Sequence, residues 1–140
     1  MPLVRVSVYN STPPATRKAI ASAIYEAMRG TIGIPEGDRF IVLTAHDPAE
    51  LFIDPNYMDA NRKEHYVLVQ IFLSRGRTVE KKQALYARVA QRLHEEAGIP
   101  IDDVMIVLNE NSFEDWSFCK GEAQYVLNPP AWVQKTPQGN

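Results

Sequence analysis

The stretch GIPEGDRFIVL at residues 33–43 recurs as GIPIDDVMIVL at residues 98–108, and this recurrence decides the fold. Both stretches begin Gly-Ile-Pro, carry Asp at the sixth position and end Ile-Val-Leu. At the same offset, identities and apolar matches extend the alignment without a gap over residues 3–43 and 68–108. Chance does not produce so many matches in one register. The chain therefore contains an internal duplication.

The first copy reads as strand, helix, strand. Apolar residues alternate along residues 3–9, as in a half-buried strand. Thr12 is the predicted N-cap of a helix, with Pro13 at the first helical position. Gly30 and Gly33 are predicted to end that helix before a second strand over residues 40–43. The apolar stripe of the helix is Ile20, Ala23, Ile24, Ala27 and Met28.

The second copy repeats this order. A strand is predicted over residues 66–73, and Thr78 is the expected cap of the following helix. Gly98 and Pro100 end the helix before a strand over residues 104–108. The apolar stripe of this helix is Leu85, Val89 and Leu93.

Two such units predict an α/β (α+β) fold in which fused β-α-β repeats form one mixed sheet covered by two helices. Strand-helix-strand units of this length imply parallel pairing with a right-handed crossover. If a pseudo-two-fold axis relates the units, their first strands can run antiparallel side by side.

We expect a single domain over residues 2–127, followed by a C-terminal extension over residues 128–140. Within the domain lie repeat one (2–43), a linker (44–65), repeat two (66–108) and an aromatic tail (109–127). The aromatic residues of the tail, together with Trp132 beyond it, suggest docking onto the body or onto a neighbouring subunit. The last residues, 135–140, are expected to fray.

Composition narrows the possible partners. Hydrophobic residues make up 45% and charged residues 23% of the 140, as in an ordinary globular protein. A formal charge of −2 gives no reason to expect nucleic acid or an anionic membrane surface. No apolar run approaches the length of a membrane span, and no signal peptide precedes the first strand. Cys119 is the single cysteine, so we expect a cytoplasmic protein without an intrachain disulfide.

Metal and cofactor signatures are lacking in the sequence. His46, His65 and His94 do not have ligand spacing, and neither a Gly-x-Gly-x-x-Gly nor a Walker sequence occurs. Ser74 and Ser117 have no evident His partner for a serine hydrolase. We therefore expect chemistry without a cofactor and without a metal.

Pro2 is a candidate catalytic group. If Met1 is removed, the chain starts with a secondary amine, and an α-amino group has an ordinary pKa of roughly 7.7–8.0. Such an amine can act as general base, general acid or nucleophile. Many chains begin Met-Pro, however, and Pro is tolerated as the first residue of a strand. On Pro2 alone the structural interpretation is preferred.

Positions that differ between the repeats strengthen the interpretation of Pro2 as a functional residue. Pro2 aligns with Val67, so only the first copy owns an amine. Arg75 and Arg77 align with polar uncharged residues, so only the second copy owns an arginine pair. The pair enters a helix N-terminus, which favours anions, and two guanidiniums suit a carboxylate. The alternative is a pair of solvated loop arginines.

Topology predicts that these groups meet. Parallel pairing in the first unit puts Asp38 at the sheet edge where Pro2 begins. Antiparallel first strands would bring Arg75 and Arg77 to the same edge. We expect amine, carboxylate and arginines to share one pocket, whereas the duplicate Asp103 has no amine opposite it and is interpreted as structural.

The chain resembles the tautomerase superfamily, and within it the malonate semialdehyde decarboxylase-like group. The similarity spans about residues 2–126. The segments that carry it are Pro2-Leu3, Ile34-Pro35-x-Gly37-Asp38-Arg39-Phe40, Ser74-Arg75-Gly76-Arg77 and Glu110-Asn111-Ser112-x-x-Asp115-Trp116-Ser117-Phe118, with a weaker match at residues 46–51.

The resemblance implies roles for individual residues. Pro2 would be the central catalytic group and Asp38 its assistant, while Arg75 and Arg77 would hold a substrate carboxylate. The apolar wall of the pocket would be formed by Trp116 and Phe118. A homotrimer with active sites close to subunit boundaries is implied.

Two departures from the family pattern bear on the substrate. Gly76 stands where a relative carries proline, which predicts a looser arginine loop. The extension after Val126 is longer than the family pattern and is expected to alter the pocket entrance.

The implied activity is decarboxylation of a small β-oxo acid such as malonate semialdehyde, with hydration as a side reaction. The same pocket with a neutral Pro2 amine would suit a keto-enol tautomerase of 2-oxo acids. A non-catalytic ligand-binding or protein-interaction module is the third hypothesis.

Overall fold

The computed structural model describes residues 1–131, so Trp132 and the predicted frayed end lie outside the described residues. The main elements, in chain order, are β1 (Leu3–Tyr9), α1 (Pro14–Ile32), β2 (Ile41–His46), β3 (Val67–Ser74), α2 (Val79–Ala97), β4 (Val104–Asn111) and a short α3 (Gln124–Leu127). Single 3-10 turns lie at Tyr57–Asp59, Ile101–Asp103 and Phe113–Asp115.

The four strands form one mixed sheet in the order β2-β1-β3-β4. Each repeat supplies a parallel pair, β1 with β2 and β3 with β4. The two first strands, β1 and β3, pair antiparallel at the centre, with Val6 opposite Val69. The predicted fold class and the antiparallel junction between the repeats are confirmed.

Both long helices cover one face of the sheet, and they pack against each other. Alternate residues of β1 and β3 are buried beneath them, which explains the period of two in the sequence. The predicted stripes are buried on both helices; the equivalent residues Ile20 and Leu85 each have 0% exposure. Burying one such side chain contributes roughly 1.5–3 kcal/mol to folding.

The start of α1 differs from the prediction. The helix begins at Pro14, with Pro13 as N-cap and no side-chain capping bond. Pro13 precedes another proline, and the second ring excludes helical geometry from the residue before it, so Pro13 stays extended at ψ 151°. Thr12 is therefore displaced from the cap position and is buried, and its carbonyl accepts a hydrogen bond from Arg17 Nε at 2.8 Å.

The other predicted boundaries are close to those observed. Thr78 caps α2 by accepting a hydrogen bond from the Lys81 amide. Gly33 and Gly98 end the two helices in the left-handed conformation, with φ of 68° and 67°. Gly30 lies inside α1 rather than ending it. β2 and β4 each continue three residues beyond the predicted strand ends.

Within the described residues, no helix is both long and apolar enough to cross a membrane.

Candidate active site

The start of the chain and Asp38 meet at one edge of the sheet. Val4 pairs with Ile41, and the Val4 amide donates to the Phe40 carbonyl at 2.9 Å, which places the turn before β2 beside the chain start. The Met1 α-amino nitrogen consequently lies 4.0 Å from Asp38 Oδ2. The topological prediction for this carboxylate agrees with the geometry.

The arginines reach the same edge from the second repeat. Leu3 pairs with Phe72 across the antiparallel junction, so the end of β3 lies beside the start of β1. Beyond β3, the Arg75 amide donates to the Asn111 carbonyl at 2.8 Å. Arg77 Nη1 donates to the Ser74 carbonyl at 2.8 Å, which fixes its guanidinium near the strand end.

Gly76 forms the turn between Arg75 and Arg77 in the loop after β3. Its φ of 122° lies in the range that residues with a Cβ rarely adopt. The departure from proline noted in the sequence therefore coincides with a backbone conformation that proline, with φ near −65°, cannot take.

The aromatic tail completes the site through Tyr125. The Tyr125 hydroxyl accepts a hydrogen bond from the Met1 amine at 3.3 Å. The Phe118 ring meets the Tyr125 ring edge-on at 4.7 Å, and Trp116 stacks on Phe118 at 5.7 Å. Trp116 in turn donates from Nε1 to Asn111 Oδ1 at 2.7 Å, tying the aromatic stack to the end of β4.

These elements enclose a cleft of about 420 Å³. Its lining consists of Met1, Ile32, Gly33, Ile34, Pro35, Asp38, Arg75, Gly76, Arg77, Lys81 and Tyr125. Trp116 and Phe118 are not in this lining, and they support Tyr125 from behind. The cleft combines one carboxylate with an amine, two guanidiniums and a lysine, so it suits an anion.

Burial and neighbouring charges shift the acid-base groups of the cleft. Burial lowers the pKa of the Met1 amine, as does Arg77, while Asp38 opposes the shift. Burial raises the pKa of Asp38, and the nearby amine opposes that change. Burial, and then Asp38, raises the pKa of the Tyr125 hydroxyl. The low dielectric therefore favours neutral forms of both the amine and the carboxyl group.

The amine in the structure belongs to Met1, and Pro2 follows it as a buried residue whose nitrogen lies in the peptide bond. Removal of Met1 would free that nitrogen.

Asp103 has a different environment from its duplicate. Its side chain is fully buried, and Oδ1 accepts a hydrogen bond from the Lys63 amide at 2.7 Å. The neighbouring Asp102 accepts from the Asn61 amide at 2.9 Å. These carboxylates hold the linker against the second repeat, in keeping with the structural interpretation.

Among the polar lining residues, sequence reasoning missed Lys81 and Tyr125. Lys81 could have been found, because it lies in the first turn of the helix that the arginines enter. Tyr125 could not, because no periodic pattern fixes the path of the tail. Among residues 1–131, His, Cys, Asp and Glu side chains do not gather in a group of three that could hold a metal.

Comparison with known proteins agrees with this geometry. A family model for tautomerase enzymes matches residues 38–119, more than half of the chain. The protein belongs to the tautomerase family. The probable tautomerase YusQ of Bacillus subtilis (strain 168) is 34% identical over 126 residues, covering 90% of this chain and 99% of YusQ.

Two solved structures have folds similar to that of this protein. The FG41 malonate semialdehyde decarboxylase, inhibited by 3-bromopropiolate, superposes with a TM-score of 0.86 at 36% identity, covering 92% of this chain and 98% of that one. The Q0 fused 4-OT, a symmetric trimer, gives a TM-score of 0.74 at 25% identity, covering 90% and 98%. The resemblance to the decarboxylase-like group is confirmed at the level of sequence and fold.

Proposed function

We propose that this tautomerase-family protein is a cofactor-independent decarboxylase of a small β-oxo acid of the malonate semialdehyde type. The observation that carries the proposal is the cleft in which the chain-start amine, Asp38, Arg75 and Arg77 meet. The similarity to the FG41 malonate semialdehyde decarboxylase supports the choice of substrate class.

In this proposal the arginines bind the substrate carboxylate, and the freed Pro2 nitrogen acts on the carbonyl. Protonated Pro2 donates a hydrogen bond to the carbonyl oxygen, which becomes more negative as the bond to the carboxyl carbon breaks. Carbon dioxide leaves without that electron pair, which remains as an enolate, and a proton then adds to carbon to give the aldehyde. Asp38 holds the cationic amine and orients water in a hydration side reaction.

A Schiff base between Pro2 and the aldehyde is the competing route within the same activity. Here the neutral nitrogen attacks the carbonyl carbon and water is lost, so that an iminium accepts the electron pair. Borohydride would reduce this iminium and leave a stable adduct on the protein. In either route Tyr125 would form the aromatic side of the cleft, with Phe118 packed against it and Trp116 stacked on Phe118.

A keto-enol tautomerase of 2-oxo acids is the second candidate, and one observation favours it. Burial lowers the pKa of the Met1 amine, and we expect the same desolvation to lower the pKa of a freed Pro2 amine, which increases the fraction available as a general base near neutral pH. A pH profile separates the two, because decarboxylation through the cationic amine falls as the amine loses its proton, whereas tautomerisation rises.

We further propose a homotrimer that binds a small carboxylate at each site. The sheet face opposite the helices exposes Leu3, Val42, Met105 and Val107, an apolar surface that needs a partner. The Q0 fused 4-OT is a symmetric trimer of similar fold. Light scattering should give three times the chain mass, and a monomer at micromolar concentration would contradict the proposal.

The decisive experiment compares wild type with Pro2→Ala after mass spectrometry has established that Met1 is absent. We expect Pro2→Ala to lower kcat about 100-fold or more, because it replaces the ring-held secondary amine of proline with a mobile primary amine. Arg75→Ala and Arg77→Ala should chiefly raise KM. Unchanged turnover in Pro2→Ala would favour the non-catalytic module, in which the arginines bind an anion.

A further inference from the structure

The carboxylate of Asp38 depends on the backbone of its turn for its position. Asp38 Oδ1 is buried and has no hydrogen-bond partner within residues 1–131. The other oxygen, Oδ2, lies 4.0 Å from the chain-start amine. Two backbone hydrogen bonds close the turn, from the Asp38 amide to the Pro35 carbonyl at 3.2 Å and from the Arg39 amide to the Gly37 carbonyl at 2.9 Å. Whatever holds this turn therefore places the carboxylate.

Tyr25, on α1, contacts both residues that flank Asp38. Its hydroxyl accepts a hydrogen bond from the Gly37 amide at 3.0 Å. The Arg39 guanidinium lies over its ring, with Cζ 5.2 Å from the ring centroid, which is within the range of a cation–π contact. Arg39 Nη2 also donates to the hydroxyl of Ser22, on the same helix, at 3.3 Å. The turn is thus tied to α1 on both sides of the carboxylate.

Both partners in the hydroxyl contact are restrained. Tyr25 is 8% exposed and belongs to the buried core, where close packing keeps a side chain in one rotamer. Gly37 has a φ of 85°, a left-handed conformation that residues with a Cβ seldom adopt. The geometry of the turn therefore follows from a fixed hydroxyl and from a backbone conformation that glycine allows.

The second repeat secures the equivalent turn differently. Tyr25 aligns with Ala90, which has no hydroxyl and no ring. Asp103, the counterpart of Asp38, is fully buried and accepts a hydrogen bond from the Lys63 amide of the linker at 2.7 Å. Only the repeat that contains the chain-start amine has a helix tyrosine behind its aspartate.

We infer that Tyr25 is a positioning residue for Asp38, holding the turn so that the carboxylate reaches the amine at the start of the chain. This inference rests on the proposed function, in which Asp38 assists a freed Pro2 amine. Tyr25 is not among the residues that line the cleft. Its effect on the reaction therefore passes through Asp38.

The test measures the pKa of the Pro2 amine directly. The protein is the full chain without Met1, checked by mass spectrometry and labelled with nitrogen-15 proline. The other prolines are held in peptide bonds and do not titrate, so the nitrogen chemical shift of the first residue against pH gives this pKa. Asp38, Arg77 and Tyr125 act on the chain-start amine, and the variants leave the last two in place.

Tyr25→Phe keeps the ring beneath Arg39 but removes the hydroxyl that holds Gly37. A displaced Asp38 stabilises the cationic amine less, so we expect the pKa of the Pro2 amine to fall, although by less than in Asp38→Asn. With malonate semialdehyde, kcat should fall about tenfold while KM changes less than threefold, because the arginines are untouched. An amine pKa equal to that of wild type would overturn the inference.

A double variant separates positioning from general damage. If Tyr25 acts through Asp38, adding Tyr25→Phe to Asp38→Asn should change neither the amine pKa nor kcat any further. Effects that add in the double variant would show that the tyrosine acts independently, and would overturn the inference.

Gly37→Ala disturbs the same turn from the other partner. An added Cβ has no atom within 4 Å, so the substitution acts through backbone strain and not through a clash. It should lower the pKa of the Pro2 amine as Tyr25→Phe does. An unchanged pKa in Gly37→Ala would contradict the dependence of Asp38 on the turn.

Two matched controls keep the same kinds of change away from the turn. Tyr9→Phe removes a hydroxyl that donates to the Leu51 carbonyl at 3.0 Å, at the opposite end of β1. Gly98→Ala introduces strain at a φ of 67°, also without a nearby atom. Both should leave the amine pKa unchanged, and a shift as large as that in Tyr25→Phe would overturn the inference. If wild type does not decarboxylate malonate semialdehyde, the proposed function fails, while the amine pKa still decides the role of Tyr25.

Discussion

The carboxylate of Asp38 lies 4.0 Å from the α-amino nitrogen at the start of the chain. Parallel pairing of β1 and β2 creates this proximity, because it brings the turn before β2 to the edge where β1 begins. Each group is partly withdrawn from water, and burial shifts both pKa values toward the neutral forms. The pair is therefore sensitive to any change in charge.

Asp38→Asn should move the pH-rate profile. Asp38 raises the pKa of the Met1 amine, and we expect it to act in the same way on a freed Pro2 amine, so its removal lowers the amine pKa further. The amine-dependent limb of log kcat/KM should shift to lower pH, whether activity falls or rises along it. Glu36→Gln, which neutralises an exposed carboxylate in the same turn, should leave the limb in place. A limb at the wild-type pH in Asp38→Asn would show that the two groups are not coupled.

The same substitution should stabilise the protein at alkaline pH. Burial raises the pKa of Asp38, so the folded state disfavours its charged form. This penalty is absent below the ordinary pKa, develops as pH rises from that value through the raised one, and is constant above. Asp38→Asn should thus be more stable than wild type at pH 8, with the difference shrinking towards pH 4. Urea unfolding at both pH values measures it, with Asp59→Asn as the exposed comparison.

Tyr125→Phe should separate the hydroxyl from the aromatic ring. The hydroxyl accepts a hydrogen bond from the Met1 amine, and the ring packs on Phe118. We expect a freed Pro2 amine to donate to the same hydroxyl, which favours the charged amine. We expect kcat to fall about tenfold and the amine-dependent limb to move to lower pH, with stability nearly unchanged. Phe118→Leu should instead reduce stability while leaving the limb in place. Equal pH profiles for wild type and Tyr125→Phe would exclude the hydroxyl from the amine's environment.

The duplicated core should respond equally in its two halves. Ile20 and Leu85 occupy equivalent positions on α1 and α2, and both are fully buried. Truncation to Ala at either position should cost about 2–5 kcal/mol of unfolding free energy. Gln83→Ala, on the exposed side of α2, should change it by less than about 0.5 kcal/mol. Two separate unfolding transitions in either core variant would mean that the halves unfold separately.

Thr78→Ala should test the cap that the sequence predicted. Its hydroxyl accepts a hydrogen bond from the Lys81 amide at 3.3 Å, and loss of an N-cap typically costs about 1 kcal/mol. Ser11→Ala, an exposed hydroxyl before α1, where no side chain caps the helix, should cost less than about 0.5 kcal/mol. Equal losses in thermal or urea unfolding would contradict the capping role.

The fold could be predicted largely because the internal duplication shows the same strand-helix-strand pattern in two copies. Both copies carry the same signals for strand, helix and strand. These are a glycine that ends the helix (Gly33 and Gly98), alternating apolar residues in β1 and β3, and an apolar stripe on each helix. The predicted start of α1 is wrong because Pro14 restricts Pro13 to an extended conformation, which moves the helix start to Pro14. Helix and strand patterns are local, and here the local signals were clear.

The site was predictable only where it followed from topology. Asp38, Arg75 and Arg77 were placed near the chain start because strand direction fixes which ends meet. The position of Tyr125 could not be predicted, because individual contacts hold the tail and no sequence pattern indicates them. One example is the hydrogen bond from the Phe118 amide to Gln124 Oε1 at 2.9 Å. The roles of Trp116 and Phe118 came from resemblance alone and stay a prediction.

The antiparallel junction between β1 and β3 brings together groups that differ between the two repeats. The first repeat contributes the chain-start amine and Asp38, and the second contributes Arg75 and Arg77. Neither repeat alone contains all of these groups. At the opposite end of the sheet the counterpart of the acid, Asp103, anchors the linker. The charged cleft therefore exists only where the two repeats meet, and each repeat supplies groups that the other lacks.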